Sequence, residues 1–337
     1  MKKFIILLIY LFNIHSYFSQ GCCSGGSTNP IAGGAATGVL QQYQFEISSN
    51  FQYLYSDKFY ANSSDTLGAF DYFSSNYLFL RCDYGVTDKF TFSLASGYFF
   101  DKTKFDNIPL QNTLTDTISV NGFSDVILLP RYGVFNKTNG NKKTELTLGL
   151  GMKLPLGSHN DSSLIYSGQI GDIYAINPFI AQTTNGSIDV MFYAFLFRSY
   201  HKKKLNVFTN FLHVKTGYNS LGQKFGNYTS LGFFASKKIS NTVGMTIQIR
   251  TELINQMKSA KNVDLTIYNI DQSSTGSFKT FFVPQFTYSK RNLVFFVTSE
   301  IPIYQYVNGI QIGSKLQLTL GLNYRFNLKN KLYNIEN

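Results

Sequence analysis

Tryptophan is absent from this 337-residue chain, proline is scarce (7), cysteine is limited to three, and only 15% of positions are charged. So low a charge density, with aromatics at 16%, argues against a solvent-exposed helical protein and fits a strand-rich one. Beyond the N-terminal segment no run of eighteen apolar residues occurs, which argues against a protein that crosses a membrane with helices. The cysteines at positions 22, 23 and 82 are odd in number, and two are adjacent. They form neither a disulfide framework nor a zinc-site spacing, and no metal or cofactor is expected. Glycine-rich stretches are not followed by helical patterns, so phosphate-loop readings fail. His159, His201 and His213 have no nucleophile at a spacing that suggests catalysis, and no enzyme is expected.

What is present is phenylalanine (32), tyrosine (23) and glycine (27), at a mean hydropathy of −0.08. Such a value suits a membrane barrel, because only every second residue of a strand meets lipid. Residues 1–20 carry Lys2 and Lys3 ahead of an apolar run from Phe4 to Phe12, the form of an export signal and too short to span a bilayer. Export turns the net charge of +11 away from nucleic acid and toward anionic lipid phosphate.

Alternation is the main signal along the chain. Over 42–55 the odd positions read Tyr43, Phe45, Ile47, Ser49, Phe51, Tyr53, Tyr55, and the even ones read Gln42, Gln44, Glu46, Ser48, Asn50, Gln52, Leu54. Leu146 to Leu156, Val243 to Leu253 and Leu316 to Phe326 repeat the pattern, opposed respectively by Thr147, Gly149, Gly151 and Lys153; by Thr246, Gln248, Arg250 and Glu252; and by Lys315, Gln317, Thr319 and Arg325. These segments outrun the ~5–6 residues of soluble strands and match the ~9–11 needed to cross hydrocarbon at a tilt.

A plain count gives thirteen strands. Connections shorten and lengthen alternately from each end of the chain, and the two series meet in register only if 172–182 belongs to a loop spanning 157–186. Twelve strands follow, an even number as single-chain bacterial barrels require. The expectation is an all-β antiparallel transmembrane barrel of about twelve strands over 41–326, behind a signal peptide (1–20) and a small-residue leader (21–40), with a tail at 327–337. Long connections are expected at 101–122 and 303–314. The short turns carry Lys137, Lys142, Lys143, Lys202, Lys203, Lys204, Lys237, Lys238, Lys290 and Arg291, which suits contact with phosphate headgroups.

The leader, rich in Gly, Ala and Ser and free of charge, is either an unstructured linker or a hatch folded into the lumen, with Cys22, Cys23, Asn29 and Pro30 as its candidate residues. Cys22, directly after a small residue, is either a lipidation site or, like Cys23, a free thiol. Charges expected to face the lumen are Glu46, Asp125, Arg131, Lys153, Arg250, Glu252, Glu300, Lys315 and Arg325. Both signs occur, so they serve either as a mutually paired network or as an ion path. A lumen of twelve strands lies between the filled eight and the open sixteen, so it is narrow.

Several segments resemble an outer-membrane family named for the meta-pathway of phenol degradation. Gly122-Phe-Ser-Asp-Val126 running on to Pro130-Arg-Tyr-Gly133, Gly151-Met-Lys-Leu-Pro-Leu-Gly157, Asn185-Gly-Ser-Ile-Asp189, Ile301-Pro-Ile-Tyr304 with Val307-Asn-Gly309, and the closing Gly321-Leu-Asn-Tyr-Arg-Phe326 carry the likeness. It implies an outer-membrane barrel akin in idea to fatty-acid and aromatic-hydrocarbon uptake channels, in which an N-terminal hatch fills the lumen. The chain departs from the pattern in its cysteine-rich leader and in the eleven residues after Phe326. Two functions remain open: a narrow transport channel for a small hydrophobic molecule, or a structural or surface-interaction barrel. The expected partners are outer-membrane lipids and, for the channel, that small hydrophobic ligand.

Overall fold

A computed structural model describes residues 38–68, 70–106, 117–169, 171–268 and 270–328. The signal segment, the hatch candidates Cys22, Cys23, Asn29 and Pro30, and residues 329–337 lie outside them.

Twelve antiparallel strands close into a barrel. In chain order they are β1 (Gln44–Ser56), β2 (Tyr72–Thr87), β3 (Phe90–Phe105), β4 (Val126–Asn139), β5 (Lys142–Leu154), β6 (Asp189–Tyr200), β7 (Leu205–Lys215), β8 (Tyr228–Lys238), β9 (Val243–Ile254), β10 (Ser277–Lys290), β11 (Leu293–Ile312) and β12 (Leu316–Asn327). Each pairs with its neighbour in sequence, and β12 returns to β1 from Gln44↔Asn327 to Tyr55↔Leu316. Closure leaves the ring with no open edge, which a chain in hydrocarbon requires.

The alternation sorts as expected. Ile47, Phe51, Leu150, Met152, Ile247, Ile249, Leu318 and Leu320 lie on the exposed outer face, while Ser48, Asn50, Thr147, Gln248 and Thr319 are buried inside. Burial is therefore inverted relative to a soluble protein: the apolar residues face lipid and many of the polar ones are enclosed. Tyrosine and phenylalanine supply the interfacial belts that tryptophan often shares. Phe45 lies 5.4 Å from Phe326 near the strand ends that carry the short turns, and Tyr72 stacks on Phe105 at 4.8 Å toward the other rim.

Residues 172–182 do belong to a connection, which holds a small hairpin (Ser162–Gly168 with Gly171–Ile176) and a 3-10 turn at Phe179–Ala181. Strand pairing extends into two of the expected loops. β11 runs on to Ile312 and pairs with Phe59–Asn62 of the first long loop, so the 303–314 connection shrinks to a tip at 313–315. The upper half of β3 pairs with Thr117–Phe123. Both extensions stand on the long-loop side, where a rim above the lipid is solvated and a strand needs no apolar face.

Inside, glycines make room for rings. A Cβ on Gly321 would sit 1.9 Å from the Phe296 ring, and one on Gly97 would sit 2.2 Å from the Tyr77 hydroxyl. Gly321→Ala is expected to destabilise the barrel by about 1–3 kcal/mol through overpacking. Gly244→Ala, whose added carbon meets Lys237 at an ordinary 3.7 Å, should stay near wild type. Urea titrations in detergent, followed by heat-modifiable gel mobility, check both.

Candidate functional site

The lumen holds three charged clusters, each built by strands remote in sequence. Near the short-turn end, alternation on β1, β2, β4 and β12 turns Glu46, Arg81, Asp83, Arg131 and Arg325 inward. Arg325 Nη2 lies 2.5 Å from Glu46 Oε2, and Arg81 Nη2 lies 3.5 Å from Glu46 Oε1. Arg81 Nε donates to Asp83 Oδ2 at 2.8 Å, and Arg131 Nη2 donates to Asp83 Oδ1 at 2.9 Å and to Ser93 Oγ at 3.0 Å. Three guanidiniums face two carboxylates, which leaves this cluster one charge positive.

That surplus is directed at the leader. Arg131 Nη1 donates to the carbonyl of Gly38 at 3.0 Å, and the backbone N–H of Leu40 donates to Thr91 Oγ1 at 2.7 Å. The carbonyl oxygen of Gln41 lies 1.9 Å from where a Cβ on Gly85 would stand, so only glycine lets the leader lie this close to β2. Residues 38–41 thus run along the inner wall of β2 to β4 before β1 begins.

Toward the long-loop end, Lys153 Nζ sits 2.8 Å from Asp125 Oδ2 and 2.9 Å from Asp189 Oδ2, and it donates to Asn185 Oδ1 at 3.2 Å. The loop after β5 supplies this lattice. Its final stretch turns into the mouth, where Ala181, Gln182, Thr183, Thr184 and Ser187 are all buried. Thr184 donates to Asp125, and Ser187 Oγ donates to Asp189 Oδ1 at 2.6 Å. Across the barrel Arg250 bridges Glu252 and Glu300, with its guanidinium carbon 4.7 Å from the centre of the Phe281 ring. Tyr228 donates to Glu252 at 2.7 Å. Each of these clusters sets one cation against two carboxylates.

Between the clusters one wall is apolar. Ile127, Leu129, Met191, Tyr193, Phe195, Phe208, Leu212, Val214 and Phe234 form a continuous buried cluster on β4, β6, β7 and β8, and Phe208 stacks on Phe234 at 4.3 Å. The opposite wall, β9 to β12 and β1, is largely polar. Two cavities open toward the long-loop rim on either side of Lys153, of about 270 Å³ and about 390 Å³.

Of the sequence-stated lumen charges, Glu46, Asp125, Arg131, Lys153, Arg250, Glu252, Glu300 and Arg325 face the interior and are paired. Lys315 does not: it is exposed at the β11–β12 tip, 2.8 Å from Asp57 Oδ2, because the polar face of β12 passes out of the barrel there. Arg81, Asp83 and Asp189 were not anticipated. Arg81-Cys82-Asp83 has the required alternation within β2, a signal available in the sequence. The apolar wall had none, since β6 is apolar on both faces.

No protein-family model matches this chain, and no curated protein matches it. Among solved structures it is similar to an outer-membrane channel from Pseudomonas putida F1, with a TM-score of 0.59 at 13% identity over 86% of this chain and 97% of that one. It is also matched to the β domain of the Bordetella autotransporter BrkA, with a TM-score of 0.46 at 10% identity over 85% of this chain and 100% of that one. The first likeness, with the lipid-facing apolar surface described above, identifies the fold as an outer-membrane β-barrel.

The clusters carry a stability prediction. Arg250→Met leaves Glu252 and Glu300 enclosed without the guanidinium that bridges them and should cost about 3–5 kcal/mol. Adding Glu252→Gln and Glu300→Gln removes the stranded charges and should recover most of that loss. Urea midpoints of the single and triple variants, measured side by side, check the sign of each step.

Proposed function

We propose that this protein is a narrow outer-membrane channel for a small hydrophobic molecule, gated from the short-turn side by its leader. The observation that carries the reading is the seat of residues 38–41, held inside the barrel by Arg131, Thr91 and the bare backbone of Gly85. On this reading the glycine-, alanine- and serine-rich residues before that seat serve as the gate. Small side chains suit such a path, because inward-pointing groups leave little free width in a twelve-strand barrel. The apolar wall supports the cargo class. It gives an apolar solute a surface that does not have to be desolvated at a cost, while the paired clusters offer little to a free ion.

A second reading, a structural or surface-interaction barrel with a closed lumen, is favoured by one observation. Inward residues at the waist are fully enclosed: Asn50 and Thr319 are 0% exposed and Thr147 is 1% exposed. In the channel reading that closure is the resting state.

Single-channel conductance in planar bilayers, with and without residues 22–38, separates the two. Conductance that appears or rises on deletion is the outcome expected of a gated channel. Silence from both proteins, with folding verified by heat-modifiable mobility and with unchanged uptake of a small apolar solute by cells carrying each form, would leave the structural barrel.

A further inference from the structure

The smaller of the two cavities is not a plain apolar hollow. Phe73, Tyr77, Phe79, Phe99 and Ile127 form its apolar side, contributed by β2, β3 and β4. At about 270 Å³ it lies just below the ~300–1,000 Å³ usual for small-molecule sites. Among its polar lining, which includes Lys153 already paired with Asp125, two donors stand out. The Lys102 ammonium donates to the carbonyl of Gln182 at 2.5 Å and lies 5.0 Å from the centre of the Phe99 ring. Among the described residues no carboxylate pairs with it within 4.0 Å, and the one whose charge reaches it is Asp125. Gln52 is buried, its amide oxygen takes a hydrogen bond from Gln317, and its Nε2 has no partner among the described residues.

The carboxylate that lines this cavity, Asp125, is already engaged on both oxygens, by Lys153 and by Thr184. The cavity therefore offers a cation and an amide donor beside a packed aromatic wall, and the one carboxylate in its lining is taken. A buried donor without an acceptor is costly, and a lysine so placed gains most from an anion.

We propose that this cavity binds an apolar molecule bearing one carboxylate, with the carboxylate on Lys102 and Gln52 and the apolar body against Phe79, Phe99 and Ile127. The site narrows the cargo class of the channel reading and rests on that reading for the route alone; occupancy is measured without flux. No bond is made or broken. Lys102 also ties the inward-turned loop through Gln182, so an anion that draws the ammonium away from that carbonyl loosens the loop at the point where a solute enters.

The test uses the full barrel in lipid nanodiscs, with empty nanodiscs subtracted, and three probes of one chain length: octanoate, octanol and octylammonium. Calorimetry should show octanoate bound about tenfold or more tighter than octanol, the scale of a charge-assisted hydrogen bond, and octylammonium weakest. Lys102→Gln should collapse the octanoate preference and leave octanol affinity unchanged, while Lys102→Arg should keep the preference. Ser75→Phe, which fills the cavity, should weaken octanoate and octanol together.

Equal affinity for the three probes on the unmutated protein, or binding that Ser75→Phe does not reduce, would overturn the site whether or not the lysine variants fold. If octanoate is preferred but deletion of 22–38 changes neither conductance nor uptake, the site stands and the channel reading falls. If conductance responds and octanoate shows no preference, the reverse holds.

Discussion

A backbone amide in hydrocarbon has no partner but another strand, and the rest of this molecule follows from that. An open sheet of twelve long strands would expose two rows of unpaired groups to lipid. Pairing β1 with β12 along their length removes both rows and sets every other choice. It fixes an even strand number, a tilt, and an interior that half of all strand side chains must enter. The outer face is then simple, since any sufficiently apolar side chain serves, and Leu, Ile and Phe fill it. The inner face is the difficult one, because space there is limited and polar groups cannot all reach water.

The chain meets that difficulty in two ways. On one side it lines the interior with aromatic and aliphatic residues, stacking Phe208 on Phe234 and relieving crowding with glycines such as Gly97 and Gly321. On the other it uses polar side chains, and it gathers most of its interior charges into compact clusters in which each ion has an opposite partner. An isolated carboxylate in such an interior would take up a proton, an isolated ammonium would lose one, and either would otherwise draw in water. Collected as they are, they act as cross-braces between strands far apart in sequence, such as Arg250 with Glu300 and Arg325 with Glu46. Whether such braces add net stability against an apolar filling is a separate matter, because desolvation offsets much of the attraction. Their directional bonding pins the relative positions of the strands they join.

Two segments enter the barrel interior, one at each end, and they are held by different means. At the short-turn end the surplus guanidinium charge meets the carbonyl of Gly38, so residues 38–41 are held largely by their backbone, with the Gln41 carbonyl admitted by the missing Cβ of Gly85. At the other end the loop after β5 is held by side chains of defined chemistry: Thr184 on Asp125, Asn185 on Lys153, Ser187 on Asp189. A segment held by generic contacts and one held by specific contacts differ in what can displace them. The first yields to anything that competes for Arg131, the second to a molecule that satisfies the same donors and acceptors.

The lipid and lumen faces of β1, β5, β9 and β12 were readable along the chain, because a period of two in a pleated strand assigns each side chain to a face without knowledge of its neighbours. The strand number was readable too, through the alternation of long and short connections, since both ends of the barrel start on the same side. The same rule turns Glu46, Lys153, Arg250, Glu252 and Arg325 inward on those strands, while Lys315 lies outside, because alternation says which way a residue points and not whether the strand is still inside the barrel. Strand β6 was legible only as a strand. With Met191, Tyr193 and Phe195 inward and Val190, Phe192 and Leu196 outward, both its faces are apolar, and the choice between lipid and lumen lies with its partners β5 and β7. Which charge meets which, the inward fold of the loop after β5, and the seat of the leader on Arg131 belong wholly to the tertiary structure. Each depends on the register at which a closed ring brings distant strands level, and local sequence carries no record of that register.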